Sequence, residues 1–214
     1  MNIKRIFPIF IILLSFGIAI FYYPQMPPQI ASHWNASGVV DGYMSKFWGL
    51  FFLPILLFFL YLLFIFLPMI DPKKENVKDF RNNFDNFINA FFVFMFGIYL
   101  FTIAWNLGYK IDIMKFFAIG FAVFIYFLAI LIEKAKMNWF IGIRTPWTLS
   151  NEKVWDDTHR LGGKAYKIAA ALSLLGLFTG KYALAFIALP LVLVSFYLVI
   201  YSYLEYKKEK NKGK

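Results

Sequence analysis

Six long apolar runs constrain the fold of this chain more than any other feature of its sequence. A helix needs about 20 mainly apolar residues to cross the hydrocarbon core of a bilayer. Hydrophobic residues make up 61% of the 214 residues, which is more than a soluble domain of this length carries. The sequence therefore predicts an all-α integral membrane protein with six transmembrane helices. The runs, of which the fifth is the shortest, occupy residues 6–23, 47–70, 84–107, 114–132, 165–179 and 182–203.

Lysine and arginine are distributed unevenly between the segments that connect these runs. The N-terminus, the connection after the second run, the connection after the fourth run through Lys167, and the tail hold 18 of the 22 basic residues. Short segments that stay in the cytoplasm are enriched in Lys and Arg. We therefore expect a multi-pass protein of the cell membrane with both termini in the cytoplasm. This distribution also accounts for the net charge of +10 without direct binding to nucleic acid.

The same pattern predicts three parts. Residues 1–70 would form a two-span unit with an outer loop at 24–45. Residues 71–206 would form a four-span unit with a cytoplasmic motif at 134–164, and residues 207–214 a basic tail. The chain has no cysteine and two histidines, so disulfides, thiolate catalysis and Cys-based metal sites are excluded. No metal or other cofactor is predicted. The absence of a paired-carboxylate or Ser/His/Asp set favours a protein that is not an enzyme.

The outer loop is rich in proline and turn-forming residues. Pro24, Pro27 and Pro28 disfavour helix, and two extended pieces flanking Gly38 predict a small hairpin that caps the outer membrane face. His33 and Trp34 could face a ligand or sense pH. Alternatively, Trp34 packs at the interface and His33 hydrogen-bonds within the turn. The candidate residues that would face a ligand or toxin are His33, Trp34, Asn35, Gly38, Asp41 and Gly42.

A polar stripe enters the third run. Its members share one helix face by their i, i+3, i+4 and i+7 spacing. Polar residues at membrane depth usually face the bundle interior or a wet cavity, so one reading is a polar pocket open to the cytoplasm. The other is a ragged helix start among the headgroups. The stripe consists of Asn82, Asp85, Asn86 and Asn89.

The segment 141–163 is the one long polar and aromatic stretch in the chain. Thr145-Pro146 breaks any helix, and the residues that follow offer helix N-caps. From 151 to 161 the pattern is amphipathic, which predicts a short helix on the inner membrane surface that ends at Gly162-Gly163. A plain interfacial connector would explain the amphipathic half. The candidate residues of this cytoplasmic motif are Arg144, Thr145, Pro146, Trp147, Asn151, Glu152, Trp155, His159 and Arg160.

Two regions resemble the SdpI-like membrane proteins. The run Ile141-Gly142-Ile143-Arg144-Thr145-Pro146-Trp147-Thr148-Leu149-Ser150-Asn151-Glu152, continued by Trp155, His159, Arg160 and Gly163, looks like the family signature. The outer segment 32–46 looks like the small domain of unknown function that commonly precedes it. The resemblance implies immunity against a membrane-active peptide toxin. It also implies a toxin sensor that holds a transcriptional repressor at the membrane, so membrane lipid, a peptide toxin and a repressor are the expected partners.

A second hypothesis comes from the residues alone. Arg144 or Arg160 could hold a phosphate or carboxylate, and His159 with Glu152 could move a proton. The protein would then be an intramembrane enzyme or transporter that acts on a lipid or small molecule through the Arg144–Arg160 segment.

Overall fold

Six helices are long and apolar enough to cross a membrane, judged by length and composition. The fold is taken from a computed structural model that describes residues 3–212. The all-α class and the six-span count are thereby confirmed. The six helices are α1 (Ile3–Tyr22), α2 (Lys46–Ile70), α4 (Arg81–Asn106), α5 (Ile113–Lys134), α7 (Glu152–Ser173) and α8 (Ala183–Lys212); the short helices are α3 (Lys74–Asp79) and α6 (Pro146–Ser150), and the strands are β1 (Gln29–Trp34) and β2 (Val40–Ser45).

Two of the spanning helices, α5 and α7, begin at side-chain caps. The Asp112 carboxylate accepts the backbone N–H of Met114 at 2.9 Å at the start of α5. Asn151 accepts the N–H of Val154 at 3.0 Å at the start of α7. Such contacts satisfy N–H groups that have no partner inside the helix. They also set the length of the connections between spans.

The outer loop forms the predicted hairpin. Strands β1 and β2 pair antiparallel, from Gln29 opposite Ser45 to Trp34 opposite Val40. The turn passes through Gly38, whose φ of 76° favours glycine. Asn106, at the end of α4, anchors the hairpin. Its side chain accepts the N–H of Ala31 at 2.8 Å and donates to the carbonyl of Ala31 at 3.0 Å.

The predicted surface helix at 151–161 is wrong as a separate element. Residues 152–173 form one continuous helix, and one face of its first half is buried within the bundle. The fifth span therefore begins at Glu152 instead of at about residue 165. The amphipathic pattern arises because one face packs against protein, and the buried residues of that face include Val154, Trp155, Thr158 and His159.

Gly162 and Gly163 do not end this helix. A Cβ on Gly163 would lie 2.5 Å from Cβ of Glu133 in α5, and one on Gly162 would lie 2.6 Å from Cδ1 of Ile143. The missing side chains let α5 and the 135–145 connection approach the α7 backbone closely. Small residues serve this purpose at helix interfaces in membranes. A glycine pair therefore marks a contact between helices here, although glycine just past a helix often marks its end.

Helices α4 and α5 pack against each other and join the two halves of the bundle. α1 packs against α2 and α4, while α7 packs against α5 and α8. The largest apolar cluster joins residues of α1, α2, α3, α4, α5 and α7, including Ile11, Leu57, Phe80, Phe92 and Trp155. The predicted division at residue 70 stays a prediction. Of the predicted basic tail, residues 207–212 continue α8, and the last two residues lie outside the described range.

Candidate functional site

The centre of the 141–163 motif is a stacked pair of side chains on α7. The rings of Trp155 and His159 lie 3.9 Å apart at an angle of 17°, and both side chains are buried. Nε2 of His159 accepts the backbone N–H of Ile143 at 2.9 Å, so its Nδ1 carries the proton and donates to the carbonyl of Trp155 at 2.8 Å. Both ring nitrogens of this neutral imidazole are therefore occupied.

The chain crosses this pair at a glycine. Gly142 has a φ of 128°, and a Cβ there would collide with Nε2 of His159 and contact the Trp155 ring at 3.1 Å. The indole N–H of Trp155 donates to the carbonyl of Ala135 at 2.8 Å. The two side chains thus hold the connection between α5 and α7 from its start at Ala135 to Ile143.

Asn138 organises the rest of that connection. Its Oδ1 accepts the N–H groups of Phe140 and Ile141 at 3.0 and 2.6 Å. Its Nδ2 donates to the carbonyls of Lys136 and Ile141 at 2.8 and 2.7 Å. Asp71, at the end of α2, adds a link from the other half of the bundle, because its Oδ2 accepts the N–H of Trp139 at 2.9 Å.

The Thr-Pro segment caps a short helix and ties it to α8. Thr145 and Thr148 form a reciprocal capping box at the start of α6, with Pro146 in the first turn. Oγ1 of Thr145 lies 3.0 Å from Oγ of Ser202, and the ring of Trp147 lies 5.1 Å from that of Tyr203. The bend predicted at Thr145-Pro146 is confirmed, and α6 is an additional short helix that was not predicted.

The charged residues of the motif lie at its surface. Arg144 donates to the carbonyl of Trp139 at 2.6 Å, and Arg160 pairs with Asp157 at 2.5 Å. Glu152 is exposed, with Nζ of Lys73 at 3.9 Å. The four residues of the enzyme hypothesis therefore have separate partners. His159 and Arg160 share the lining of a cavity of about 250 Å³ with Glu133, Lys134, Ala135, Lys136 and Asp156.

The polar stripe of α4 divides between two sides of the helix. Asp85 is buried between Arg81, at 2.7 Å, and Arg5, at 3.2 Å, and Asn82 accepts a hydrogen bond from Lys4 at 2.6 Å. Asn86 and Asn89 instead line a groove between α4 and α5. The four residues thus do not form one polar pocket.

That α4–α5 groove has a volume of about 480 Å³. Oδ1 of Asn89 is buried there and has no hydrogen-bond partner within residues 3–212. Apart from the two asparagines its lining is apolar: Ala90, Val93, Phe94, Gly97, Phe116, Gly120, Val123, Phe124 and Phe127.

The outer-loop candidates lie in the hairpin. Nδ1 of His33 is 2.5 Å from a carboxylate oxygen of Asp41 on the opposite strand. Trp34 packs edge-on against Phe101 and Trp105, at 5.2 and 5.7 Å between ring centres. Asn35 accepts the N–H groups of Ser37 and Val39 at the turn beside Gly38. A Cβ on Gly42 would lie 2.8 Å from Cβ of His33, so Gly42 allows the strands to pair closely.

Sequence reasoning missed Asp71, Asn138, Asn106 and Arg5 as site or positioning residues. Asp71 stands in an Asp-Pro pair directly after a span, and Asn138 is a lone amide in an apolar stretch. Those positions are the signals that could have drawn attention to them. Their partners lie from 2 to 80 residues away along the chain, and a single sequence does not reveal such pairs.

Two family models match separate parts of the chain. Residues 134–202, which contain the Trp155–His159 pair and its connection, match the SdpI/YfhL protein family. Residues 10–58, which contain the hairpin, match a domain of unknown function, DUF1648. The chain is therefore similar to the SdpI-like membrane proteins. It is also 28% identical over 206 residues to the "Immunity protein SdpI" of Bacillus subtilis (strain 168), covering 96% of this chain and 97% of the relative. No solved structure matches it.

Proposed function

We propose that this protein protects the membrane in which it lies against a membrane-active peptide toxin. The observation that carries the proposal is the similarity to an immunity protein along nearly the whole chain, hairpin and motif included. The His159 geometry supports a structural role for the motif, because both nitrogens of this imidazole are bound to backbone groups. A protein of this kind acts by binding, without chemical turnover.

The α4–α5 groove is the proposed contact with the toxin. A membrane-active peptide reaches the protein laterally through lipid, and the groove offers it a largely apolar surface of about 480 Å³. Within it, the unpaired Oδ1 of Asn89 could accept a hydrogen bond from a peptide N–H or side chain. An unsatisfied polar group in an apolar setting gains more from such a bond than one in water does.

The experiment is a protection assay in a sensitive bacterial host challenged with a panel of membrane-active peptide toxins. Cells that express the protein should survive at least one toxin at a concentration about tenfold above that which stops control cells. Val123→Trp fills the groove, and Val192→Trp places the same ring on a lipid-facing site of α8. Val123 and Val192 are 51% and 48% exposed. We expect only Val123→Trp to abolish protection.

Equal sensitivity of expressing and control cells to every toxin would count against immunity itself. Protection that survives Val123→Trp would leave immunity standing and remove the groove as the contact.

We also propose that the protein senses the toxin and then captures a transcriptional repressor at the membrane. The exposed Arg144, Lys153 and Arg160 would meet such a partner, since the predicted amphipathic helix face is buried in the bundle. A repressor encoded beside this protein should move to the membrane fraction when toxin is added. Arg144→Ala/Arg160→Ala should prevent that movement while protection persists.

A further inference from the structure

The end of the bundle where α1 begins contains a basic recess that the immunity proposal does not use. The recess consists of two adjoining cavities of about 280 and 320 Å³, which share Arg5, Met69 and Arg81 in their linings. Five cationic side chains and one carboxylate line them: Lys4, Arg5, Lys74, Lys78, Arg81 and Asp85. The recess therefore carries an excess of positive charge.

Asp85 holds the two arginines together. It is 2% exposed, and its two oxygens accept from Nε of Arg5 and Nε of Arg81. Within residues 3–212, Asp85 is the only hydrogen-bond partner of either guanidinium side chain. A guanidinium has five N–H donors, so both forks keep donors for a further acceptor. One carboxylate also leaves the pair with net positive charge.

The floor of the basic recess is apolar and partly open. Tyr61 donates to the carbonyl of Arg5 at 2.9 Å and so fixes α2 beside the start of α1. Met69 is 63% exposed, so this side of the recess is open to a ligand. The remaining floor residues are Pro8, Phe64, Ile65, Pro68, Val77 and Ile88.

The depth of the recess matches the phosphates of a bilayer. Lys4 and Arg5 lie in the first turn of one span, Arg81 opens another, and Met69 lies in the last turn of a third. Residues at the ends of spans lie where hydrocarbon gives way to headgroups. Cationic groups at this level attract anionic lipids, and arginine forks match phosphate oxygens.

We propose that the basic recess binds the headgroup of an anionic glycerophospholipid. Arg5, Arg81 and Lys74 hold the phosphate, and an acyl chain lies against Phe64, Ile65 and Met69. A free phosphate would contact only the cationic side chains of the recess, whereas a lipid would also contact its apolar floor. Lys78 contributes less charge because it pairs with Glu75 at 2.7 Å.

Native mass spectrometry of the detergent-solubilised full chain tests this proposal. The probes are phosphatidylglycerol and phosphatidylcholine with identical acyl chains, and inorganic phosphate as a competitor. Phosphatidylglycerol should bind about tenfold more tightly than phosphatidylcholine, and millimolar inorganic phosphate should not displace it. Arg5→Gln should reduce this preference about fivefold, and Lys207→Gln, in the tail, should leave it unchanged.

Arg5→Gln could weaken folding because it removes one partner of a buried carboxylate. The double variant Lys74→Gln/Lys78→Gln changes two exposed side chains and decides the matter independently, with Lys207→Gln/Lys210→Gln as its matched control. Loss of the preference only in the recess double variant supports the site. Equal binding of the two lipids, equal effects of recess and tail variants, or displacement by inorganic phosphate would overturn it. None of these outcomes depends on toxin protection.

Discussion

At the scale of single residues, buried polar side chains hold the backbone of the motif through hydrogen bonds that the residue type alone does not predict. Asn138 makes four hydrogen bonds to the connection that surrounds it, two as donor and two as acceptor. His159 uses one ring nitrogen as donor and the other as acceptor. A buried group must find such partners, because an unsatisfied one costs about 1–3 kcal/mol. These residues therefore shape the motif.

The donors of Asn138 give a direct test. Asn138→Asp keeps both acceptor bonds but sets a carboxylate against the carbonyls of Lys136 and Ile141. We expect the free energy of unfolding to fall by about 3 kcal/mol, measured by chemical unfolding in detergent micelles. Asn151→Asp is the matched control. There only Oδ1 is used, as a helix cap, so that variant should be neutral or slightly stabilised. Similar stabilities of the two variants would contradict this account of Asn138.

At the scale of elements, α7 differs most from expectation. Its amphipathic first half resembles a membrane-surface helix in sequence, because both kinds of helix have one apolar face. The structure places that face against α5 and the 135–145 connection. Gly162 and Gly163 lie inside this contact, where the loss of helix propensity is offset by close approach of the backbones.

Gly163→Ala should therefore destabilise the protein. The new methyl group would lie 2.5 Å from Cβ of Glu133 and 3.1 Å from the carbonyl oxygen of Ala129, a backbone atom. We expect a loss of about 1–3 kcal/mol, as for other overpacked sites, seen as a lower midpoint of thermal unfolding in micelles. Gly17→Ala has no atom within 4 Å of its new methyl group, so it should be neutral or stabilising by up to about 1 kcal/mol. A Gly163→Ala variant as stable as Gly17→Ala would refute the close-contact explanation.

At the scale of the whole molecule, an even number of spans brings both chain ends to one side. The hairpin between α1 and α2 caps the opposite end, where Asn106 holds it to α4. The motif connection between α5 and α7 lies at the same end as the termini and the basic recess. The bundle thus has one strongly basic end and one hairpin-capped end, and the charge distribution predicts that the basic end faces the cytoplasm.

Cysteine labelling can determine this orientation cleanly, because the chain has no cysteine of its own. Ser37→Cys places a thiol in the exposed hairpin turn, and Lys210→Cys places one in the exposed end of α8. In intact cells of a bacterial expression host, a membrane-impermeant maleimide should label Ser37→Cys and spare Lys210→Cys. After the cells are lysed, both variants should react. The reverse pattern in intact cells would show that the protein has the opposite orientation.

The sequence alone determined the features that depend on local composition. Runs of about 20 apolar residues require spanning helices because lipid cannot satisfy backbone hydrogen bonds. Prolines and glycines between residues 24 and 45 were enough to predict the hairpin, since they act through backbone geometry. The resemblance of the 141–163 segment to a known family could also be recognised from the sequence, because its residues are nearly consecutive along the chain.

Only the tertiary structure decided which faces meet. In the bundle, the apolar face of the first half of α7 contacts protein. The polar stripe of α4 is divided, because Asp85 pairs with Arg5 while Asn86 and Asn89 line the α4–α5 groove. Asp71 accepts a hydrogen bond from the backbone of Trp139. These contacts join residues tens of positions apart, and each depends on how whole helices pack. An apolar face has the same sequence pattern whether lipid or protein covers it, so the choice between the two depends on the folded bundle.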